Sequence, residues 1–498
     1  MGLFLGIDVG TSSVRSALYD EKGACIGASS REYPLLTDET GKAELEPEAV
    51  WQAFCHTVRA CCGGRRVEAC GLSTFMHSLL PVDREGRPLG NIITWADTRA
   101  AAQAQALGRL PQIGALYGQT GCRISHPMAP AAKLLWMRQQ QPRLFQQAHR
   151  FWTVKSFLVH RLFGADVVDV SDASSMGLLD MHTLQWAPQV LQAVGVEADR
   201  LSTPAPCTQV LQGMRPEAAT ALGLPRDLPV CLGSTDGILA NVGCGVFGQG
   251  AMTSTIGTSG ALRTMLPVPY EDPNLSLWSY YFAGGLWAVG GAINNGGLVL
   301  KWLRDQFLLP LGGPGGGDAY ALFDRCAAQI PVGCEGLVFL PALTGERSPD
   351  WNSGATGAMH GLTVAHGGPH VVRAAMEGVL FRLYSLYELL REQGFAPPRL
   401  IANGGYSRSA VWLQMQADLF GCQIDVPREK EATVLGAAYM AMCAAGRVAL
   451  GDVLPAMAAQ HTYEPDQTQR GAWQEAYGRF DTLYRRLYGG GIGGEEHV

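Results

Sequence analysis

The first fifteen residues restrict the fold of this chain more than any other stretch, because they predict a tight β-hairpin with a polar tip. An apolar run containing Asp8 leads into Gly10-Thr11-Ser12-Ser13, and a second apolar run begins at Val14. Two such runs joined by a short glycine and hydroxyl turn are typical of a hairpin. The turn directs N–H groups and hydroxyls outward, which suits a phosphate chain, and a neighbouring carboxylate suits a magnesium ion. An ordinary hairpin, in which Gly and Ser only make the turn, explains the same residues.

The chain repeats this turn near its middle. Residues 254–263 pass through Gly257-Thr258-Ser259 and end at Arg263, in the same order of residue types as the first copy. Two phosphate-type hairpins, one in each half, predict a duplicated pair of domains that close on one ligand, and they make nucleotide binding the leading hypothesis. We expect a first domain at 1–248, a second at 249–488 and a flexible tail at 489–498.

Composition narrows the class of protein further. The 498 residues suffice for two or three domains, and the charged fraction of 16% with 62 glycines favours a turn-rich α/β protein. The net charge of −6 and the absence of a dense Lys/Arg block argue against a nucleic-acid partner or an anionic membrane. Thirteen scattered cysteines, no secretory leader and no long apolar run predict a cytoplasmic protein with reduced thiols.

Hydrophobic periodicity places the remaining motifs on secondary structure. Helical patterns cover 47–62, 370–392, 410–420 and 432–446, and strand patterns cover 67–74, 228–234 and 400–402. The chain therefore alternates strands and helices in both halves, as α/β proteins do.

Phosphoryl transfer to an alcohol needs a base, a metal ion and donors to the phosphates, and the chain offers candidates for each. Asp236 follows the strand at 228–234 and precedes a helix, where α/β proteins place functional residues. It is the candidate base, although an N-cap role explains the same position. Asp8 would act on magnesium through water.

Two clusters in the first half could recognise a polar substrate. Met76 and His77 follow the strand at 67–74, and a buried, hydrogen-bonded histidine is the alternative reading of His77. Trp95, Asp97 and Arg99 bring an aromatic ring, an acid and a base together, as hydroxyl-rich ligands often require.

The chain resembles the FGGY family of carbohydrate kinases over essentially its whole length. The stretches that carry the resemblance, in order, are 6–12, 128–136, 233–237, 255–259, 357–362 and 374–377. The resemblance implies two actin-like, ribonuclease-H-like α/β domains, with ATP and a sugar in the cleft between them.

The resemblance also implies roles for individual residues. It makes Asp236 the catalytic base and puts Asp8, with Asp236, at the centre where Mg²⁺ meets the phosphates. It gives Met76 and His77 contacts with the sugar. The residues it implies for ATP are Thr11, Ser12, Ser13, Arg15, Gly257, Thr258, Gly297, Lys301, Gly404, Gly405 and Ser409. The family often has a different polar residue where Lys301 stands.

The choice of sugar depends on shorter stretches. Residues 74–79, 94–99, 234–241 and 345–349 are most similar to the gluconate kinases of the family, which implies D-gluconate phosphorylated on its terminal hydroxyl. The carboxylate of gluconate requires a cation, for which Arg99, Lys155 and His126 are candidates. A kinase for xylulose or another pentose or polyol, and a catalytically silent sugar-binding regulator, are the alternatives. A homodimer is a further expectation.

Overall fold

Both predicted hairpins form, and each lies at the centre of a sheet. The computed structural model describes residues 2–248, 250–313, 315–395 and 397–489. The predicted tail, from residue 490 on, lies outside these residues. The strands are β1 Phe4–Val9, β2 Ser13–Tyr19, β3 Cys25–Glu32, β4 Leu36–Thr37, β5 Ala43–Leu45, β6 Ala69–Thr74, β7 Leu80–Val82, β8 Ile92–Ile93, β9 Arg150–Trp152, β10 Val167–Asp169, β11 Thr203–Ala205, β12 Val210–Leu211, β13 Val230–Thr235, β14 Met252–Ile256, β15 Gly260–Leu266, β16 Trp278–Tyr281, β17 Trp287–Ile293, β18 Val338–Leu340, β19 Ala358–His360, β20 Arg399–Asn403, β21 Gln423–Pro427 and β22 Ala459–Tyr463.

The helices come between these strands. They are α1 Pro47–Cys62, α2 Ala101–Gly108, α3 Ile113–Thr120, α4 Pro130–Gln140, α5 Pro142–Gln147, α6 Val154–Phe163, α7 Val170–Ser175, α8 Pro188–Val194, α9 Pro216–Leu222, α10 Asp236–Gly243, α11 Leu298–Leu303, α12 Gly316–Ala328, α13 Gly368–Glu392, α14 Ala410–Phe420, α15 Ala432–Ala444 and α16 Arg470–Tyr488. In the part of the chain that the structure describes, no helix combines the length and the apolar character needed to cross a membrane. The described residues include all thirteen cysteines, and each is a free thiol.

The chain divides into two compact units whose sequences interleave. The first unit contains the described residues of Met1–Gly248, together with Met265–Val289 and Glu431–Ala458. The second contains the described residues of Gln249–Thr264, Gly290–Lys430 and Ala459–Val498. The sequence predicts a boundary at 248/249 with all of 249–488 in the second domain, whereas the structure returns two later segments to the first unit.

The sheet of the first unit has the strand order β12-β13-β6-β1-β2-β3. Strand β1 pairs antiparallel with β2 and parallel with β6, and β13 pairs parallel with β6. All six residues of β1 are buried, as expected of a central strand covered on both faces. Helix α1 packs on β2 and β3 through Val50, Phe54 and Val58, which recur at helical spacing and are buried.

Helix α15 packs against β1 and β6 in this first unit, which explains why its segment leaves the second half. The approach is close enough to require glycine on the strands. A Cβ on Gly6 would lie 2.1 Å from the Val434 carbonyl oxygen, and one on Gly71 would lie 1.9 Å from that of Ala437. A helix rich in small residues therefore completes the sheet that carries the first hairpin.

The second sheet has the order β16-β17-β15-β14-β20-β21-β22. Its central strand β14 pairs antiparallel with β15 and parallel with β20, and β21 pairs parallel with β20. Each sheet thus has a hairpin at its centre, two parallel strands on one side and an antiparallel edge strand beyond them, β12 in one and β22 in the other. The internal repeat seen in the sequence is a repeat of topology.

Candidate active site

The first hairpin presents a short polar tip. Val9 pairs with Val14, and the Gly10 N–H donates to the Ser13 carbonyl at 2.9 Å, so residues 10–13 make the turn. Ser12 is exposed and Thr11 half-buried, whereas Ser13 is buried. The turn therefore offers backbone and hydroxyl groups to a ligand on its open side.

Asp8, two residues before the turn, is a buried carboxylate fixed by a neighbouring strand. The Ser73 hydroxyl on β6 donates to its Oδ1 at 2.7 Å. Burial raises the pKa of Asp8, and the Ser73 hydrogen bond and the charge of Arg15 act in the opposite direction. Arg15 itself pairs with Glu431 at 3.0 Å, with both side chains about half exposed.

Asp236 is the first residue of α10, directly after β13. Its Oδ1 accepts the N–H of Gly237 at 2.7 Å. In the register of the sheet, Thr235 pairs with Thr74 and Asp8 pairs with Ser73. Strands β13 and β1 both run parallel to β6, which lies between them, so Asp236 and the first hairpin lie at the same end of the sheet, about 10 Å apart across two strand spacings.

The register of β13 is irregular just before Asp236. Pairing with β6 shifts between Cys231 and Ser234, and Gly233 in the shift has φ 65°. A Cβ there would lie 1.9 Å from the Leu72 carbonyl oxygen. Bulges are over-represented next to active sites, where they re-aim side chains, and this one ends two residues before Asp236.

Asp8 and Asp236 are the residues that could hold a magnesium ion. Both supply hard carboxylate oxygens, which this ion prefers. Across the described residues, no group of three or more His, Cys, Asp or Glu side chains is arranged to bind a metal. A site of two carboxylates fits Mg²⁺, because this ion commonly takes one or two protein carboxylates and completes its shell with water and substrate phosphates.

Met76 and His77 lie in the loop that follows β6. His77 has φ 63°, and its Nδ1 lies 2.6 Å from the Ser175 carbonyl oxygen at the end of α7. The ring of Tyr280 meets the His77 ring edge-on, with centroids 6.0 Å apart. His77 is therefore buried and oriented, while Met76 is only half-buried.

The second predicted cluster has two different surroundings. Trp95 Nε1 donates to the Thr11 hydroxyl at 2.9 Å, which ties this loop to the tip of the first hairpin. Arg99 instead lies 2.7 Å from Asp97 and also pairs with Glu44. Asp97 is buried and accepts the Ala43 N–H at 2.9 Å. The charges of Asp97 and Arg99 are thus paired with other groups of the protein.

All the predicted nucleotide residues of the second half except Gly404 line one pocket. It has a volume of about 510 Å³ and lies wholly within the second unit. Six predicted residues line it: Gly257, Thr258, Gly297, Lys301, Gly405 and Ser409. Of the ten other lining residues, which were not among the predicted nucleotide residues, five have polar or aromatic side chains: Tyr320, Asp324, Tyr406, Arg408 and Trp412.

Close backbone contacts shape this pocket. Gly404 has φ 94°, and a Cβ on it would lie 2.6 Å from the Ile256 carbonyl oxygen. The Gly297 N–H donates to the Gly257 carbonyl at 2.7 Å, which joins the start of α11 to the second hairpin. The Ser409 hydroxyl donates to Asp324 at 2.7 Å and accepts the Trp412 N–H at 3.0 Å, capping α14.

Family models match both halves of the chain. The model of the N-terminal domain of the FGGY family of carbohydrate kinases matches residues 3–243, and that of the C-terminal domain matches residues 252–445. The chain belongs to the FGGY family of carbohydrate kinases. It is therefore a sugar kinase with ATP as phosphoryl donor.

Individual FGGY kinases are similar over nearly the whole chain. A gluconokinase of Bacillus subtilis (strain 168) is 35% identical over 89% of this chain and 88% of its own length. A xylulose kinase of Escherichia coli (strain K12) is 29% identical over 97% and 99%. The crystal structure of gluconate kinase from Lactobacillus acidophilus has a TM-score of 0.91 at 30% identity and covers 98% of both chains. The predicted fold class, with two actin-like, ribonuclease-H-like α/β domains, is confirmed.

Two buried lysines of this FGGY kinase were not assigned a structural role from the sequence. Lys133 on α4 donates to the carbonyls of His77 and Thr94, each at 2.7 Å, and burial lowers its pKa to about 7. Lys155 on α6 is equally buried and lies beneath β13. A lysine among apolar neighbours within a helix is the sequence signal that could have identified both.

Proposed function

We propose that this protein is a gluconokinase, which transfers the γ-phosphoryl group of ATP to the terminal hydroxyl of D-gluconate and forms 6-phospho-D-gluconate. The observation that carries the choice of sugar is the 35% identity to the B. subtilis gluconokinase, against 29% to the E. coli xylulose kinase. The stretches at 74–79, 94–99, 234–241 and 345–349 support the same choice.

Asp236 acts as the general base. Its carboxylate accepts the proton of the sugar hydroxyl while that oxygen forms a bond to the γ-phosphorus. The bond from the γ-phosphorus to the bridging oxygen breaks, and its electron pair leaves with ADP. The hydrogen bond from the Gly237 N–H supports this role, because it fixes the carboxylate without neutralising it.

Asp8 and Asp236 would hold the magnesium ion that accompanies ATP, Asp8 through water. The ion, when bound, offsets negative charge on the phosphoryl oxygens. The position of Ser73 supports this assignment: its hydroxyl binds one oxygen of Asp8 and holds the carboxylate in a fixed orientation.

The nucleotide would bind to the pocket of the second unit. Each Gly-Thr-Ser turn offers donors that suit phosphate oxygens: Thr11, Ser12 and Ser13 in the first unit, and Gly257 and Thr258 in the second. Apolar and aromatic residues of the second-unit pocket, among them Ile256 and Tyr320, suit an adenine ring.

His77, Met76 and Trp95 would bind the sugar chain. Of the cations considered for the gluconate carboxylate, Arg99 is paired with two carboxylates and Lys155 is bound to backbone carbonyls and Asp169. Neither Arg99 nor Lys155 brings an uncompensated charge to the substrate. His126, the third candidate, accepts the Met128 N–H on Nδ1 at 3.2 Å.

The test is an ATP-consumption assay with magnesium across gluconate, xylulose, ribulose, glycerol and glucose. The proposal expects kcat/KM for gluconate to exceed that for each other compound by at least tenfold. Turnover of xylulose without turnover of gluconate would assign the protein to the second candidate, a xylulose kinase. Failure of every compound with folded, ATP-binding protein would favour a sugar-binding regulator.

A further inference from the structure

The ammonium group of Lys155 lies beneath the strand that ends at the proposed base. The side chain is fully buried. Nζ donates to the carbonyl oxygen of Leu232 at 2.6 Å and to those of Leu72 and Ser234 at 3.2 Å each. Nζ also lies 3.2 Å from Oδ2 of Asp169, which is equally buried. A lysine has three protons to donate, so these acceptors use its full capacity.

The three carbonyls surround the irregular part of β13. Leu232 and Ser234 flank Gly233, and the Leu72 carbonyl is the group that a Cβ on Gly233 would strike. A bulge removes regular strand partners from backbone groups. The ammonium of Lys155 supplies hydrogen bonds at that point and fixes the path of the chain two residues before Asp236.

Asp169, which carries the charge opposite Lys155, links the bulge of β13 to the residues proposed to bind the sugar. Asp169 accepts the Asp172 N–H at 3.0 Å and so caps α7. Ser171 of α7 accepts a hydrogen bond from the Ser234 hydroxyl at 2.6 Å. The last residue of α7, Ser175, provides the carbonyl that binds His77 Nδ1. One short helix thus joins the end of β13 to the histidine proposed to bind sugar, and Lys155 and Asp169 hold its start.

We infer that Lys155, paired with Asp169, is a positioning residue for Asp236 and not a ligand of the substrate. The inference depends on the proposed function only in taking Asp236 as the base. Without the ammonium, the bulge loses donors to three carbonyls, and the base loses its alignment with the sugar hydroxyl. A displacement of about 1 Å in a reacting group can cost about a hundredfold in rate, without any loss of substrate affinity.

The first test replaces Lys155 by methionine, which keeps the length of the side chain and removes its donors. Lys155→Met is expected to lower kcat about 100-fold while KM for ATP and for the sugar stay within threefold of the wild type. Steady-state kinetics and thermal unfolding are measured on the same preparations. A kcat within threefold of the wild type in a folded variant would overturn the inference.

Lys133→Met is the matched control, because it removes another fully buried ammonium from the same unit. Lys133 binds the His77 and Thr94 carbonyls, so its loss is expected to raise KM for the sugar about tenfold with kcat within threefold. If both variants change kcat and KM in the same proportion, Lys155 has a general structural role and the inference is wrong.

Asp169→Asn provides a test if Lys155→Met does not fold. The amide oxygen can still accept the Asp172 N–H, while the charge opposite Lys155 is lost. We expect kcat to fall about tenfold at unchanged KM, and a change below twofold would contradict the inference. All variants are assayed with whichever sugar the wild type phosphorylates best. If the proposed substrate is wrong, the wild type shows it by preferring another sugar. If the role of Lys155 is wrong, only the kinetics of the variants show it.

Discussion

The two hairpins share the turn residues Gly-Thr-Ser and the same place in their sheets, but they differ in the residues beside the turn. Asp8 stands two residues before the first glycine, and Thr255 stands at the same distance before the second. Asp8 is a buried carboxylate bound by Ser73, whereas Thr255 accepts a hydrogen bond from Arg263 at 3.4 Å. The first copy carries a charge that can act on a metal ion, and the second carries a neutral hydroxyl.

The tips differ as well. The first turn spans residues 10–13, whereas the second spans only 257–259, since Ile256 already pairs with Gly260. The shorter turn receives the start of α11, because the Gly296 N–H donates to the Thr258 carbonyl at 3.0 Å. The duplicated scaffold has therefore diverged: the carboxylates proposed for the chemistry are in the first unit, and the pocket proposed for the nucleotide is in the second.

The largest effect is expected from the base of the first unit. Asp236→Asn should lower kcat about 1,000-fold and leave ATP affinity within threefold, because the amide cannot accept the hydroxyl proton. The Asn oxygen can still accept the Gly237 N–H, so the fold is retained. Single-turnover kinetics and ATP-binding calorimetry measure the two quantities, and a kcat within tenfold of the wild type would remove Asp236 from the base role.

A direct test of the divergence compares the residues before the two turns. Asp8→Asn should lower kcat about 100-fold and raise the magnesium concentration needed for half-maximal rate, since a carboxylate near the transferring phosphoryl group is lost. Thr255→Val, its counterpart in the second hairpin, should stay within threefold of the wild type. Equal losses in the two variants would show that the hairpins are functionally equivalent.

The sequence was sufficient wherever a local pattern determines the structure. The predicted helix at 47–62 is α1, and the predicted helix at 410–420 is α14. Both hairpins follow from glycine and hydroxyl residues between apolar runs. In these segments the turn residues and the spacing of apolar side chains act over a few positions, so they can be read without tertiary information.

The parts that were missed depend on contacts between distant residues. Arg99 appears in the sequence as a candidate for binding the substrate, but its partner Glu44 lies 55 residues away. The carbonyl partners of Lys155 on β6 and β13 lie 83 and 77 residues away. The periodicity of apolar residues along the chain does not identify such contacts between distant residues. Likewise, the small residues of α15 predict close packing but not that β1 and β6 are the strands it packs against.

A substitution at Gly404 tests whether the second hairpin and its pocket bind ATP. A side chain at φ 94° is strained, and a Cβ would contact the Ile256 carbonyl beside the second hairpin. Gly404→Ala should raise KM for ATP about tenfold, which corresponds to about 1.4 kcal/mol, with kcat changed less than threefold. Gly478→Ala on α16, where a Cβ would meet nothing within 4 Å, is the control and should not change either constant. A fall in kcat at unchanged KM would place chemistry on the second hairpin.

The smallest effect concerns how each unit compensates its buried carboxylates. In the second unit, Glu377 pairs with Arg373 at 2.8 Å; burial raises the pKa of Glu377, and the charge of Arg373 acts in the opposite direction. In the first, Asp172 faces the charge of Asp169 as well as that of Lys155, and burial followed by the Asp169 charge raises the pKa of Asp172. The folded protein therefore holds a proton that the unfolded chain releases above its ordinary pKa, so Asp172 lowers the free energy of unfolding as the pH rises toward its folded pKa.

Asp172→Asn tests this difference, because the amide keeps the neutral shape at every pH. The variant should be close to the wild type in Tm at pH 5 and more stable than it by a few degrees at pH 8. Thermal unfolding across this range measures the difference in Tm between the two proteins, in which the titration of all other groups largely cancels. A difference that is constant with pH, or that reverses, would mean that Asp172 is already charged in the folded protein and that its pKa is not raised.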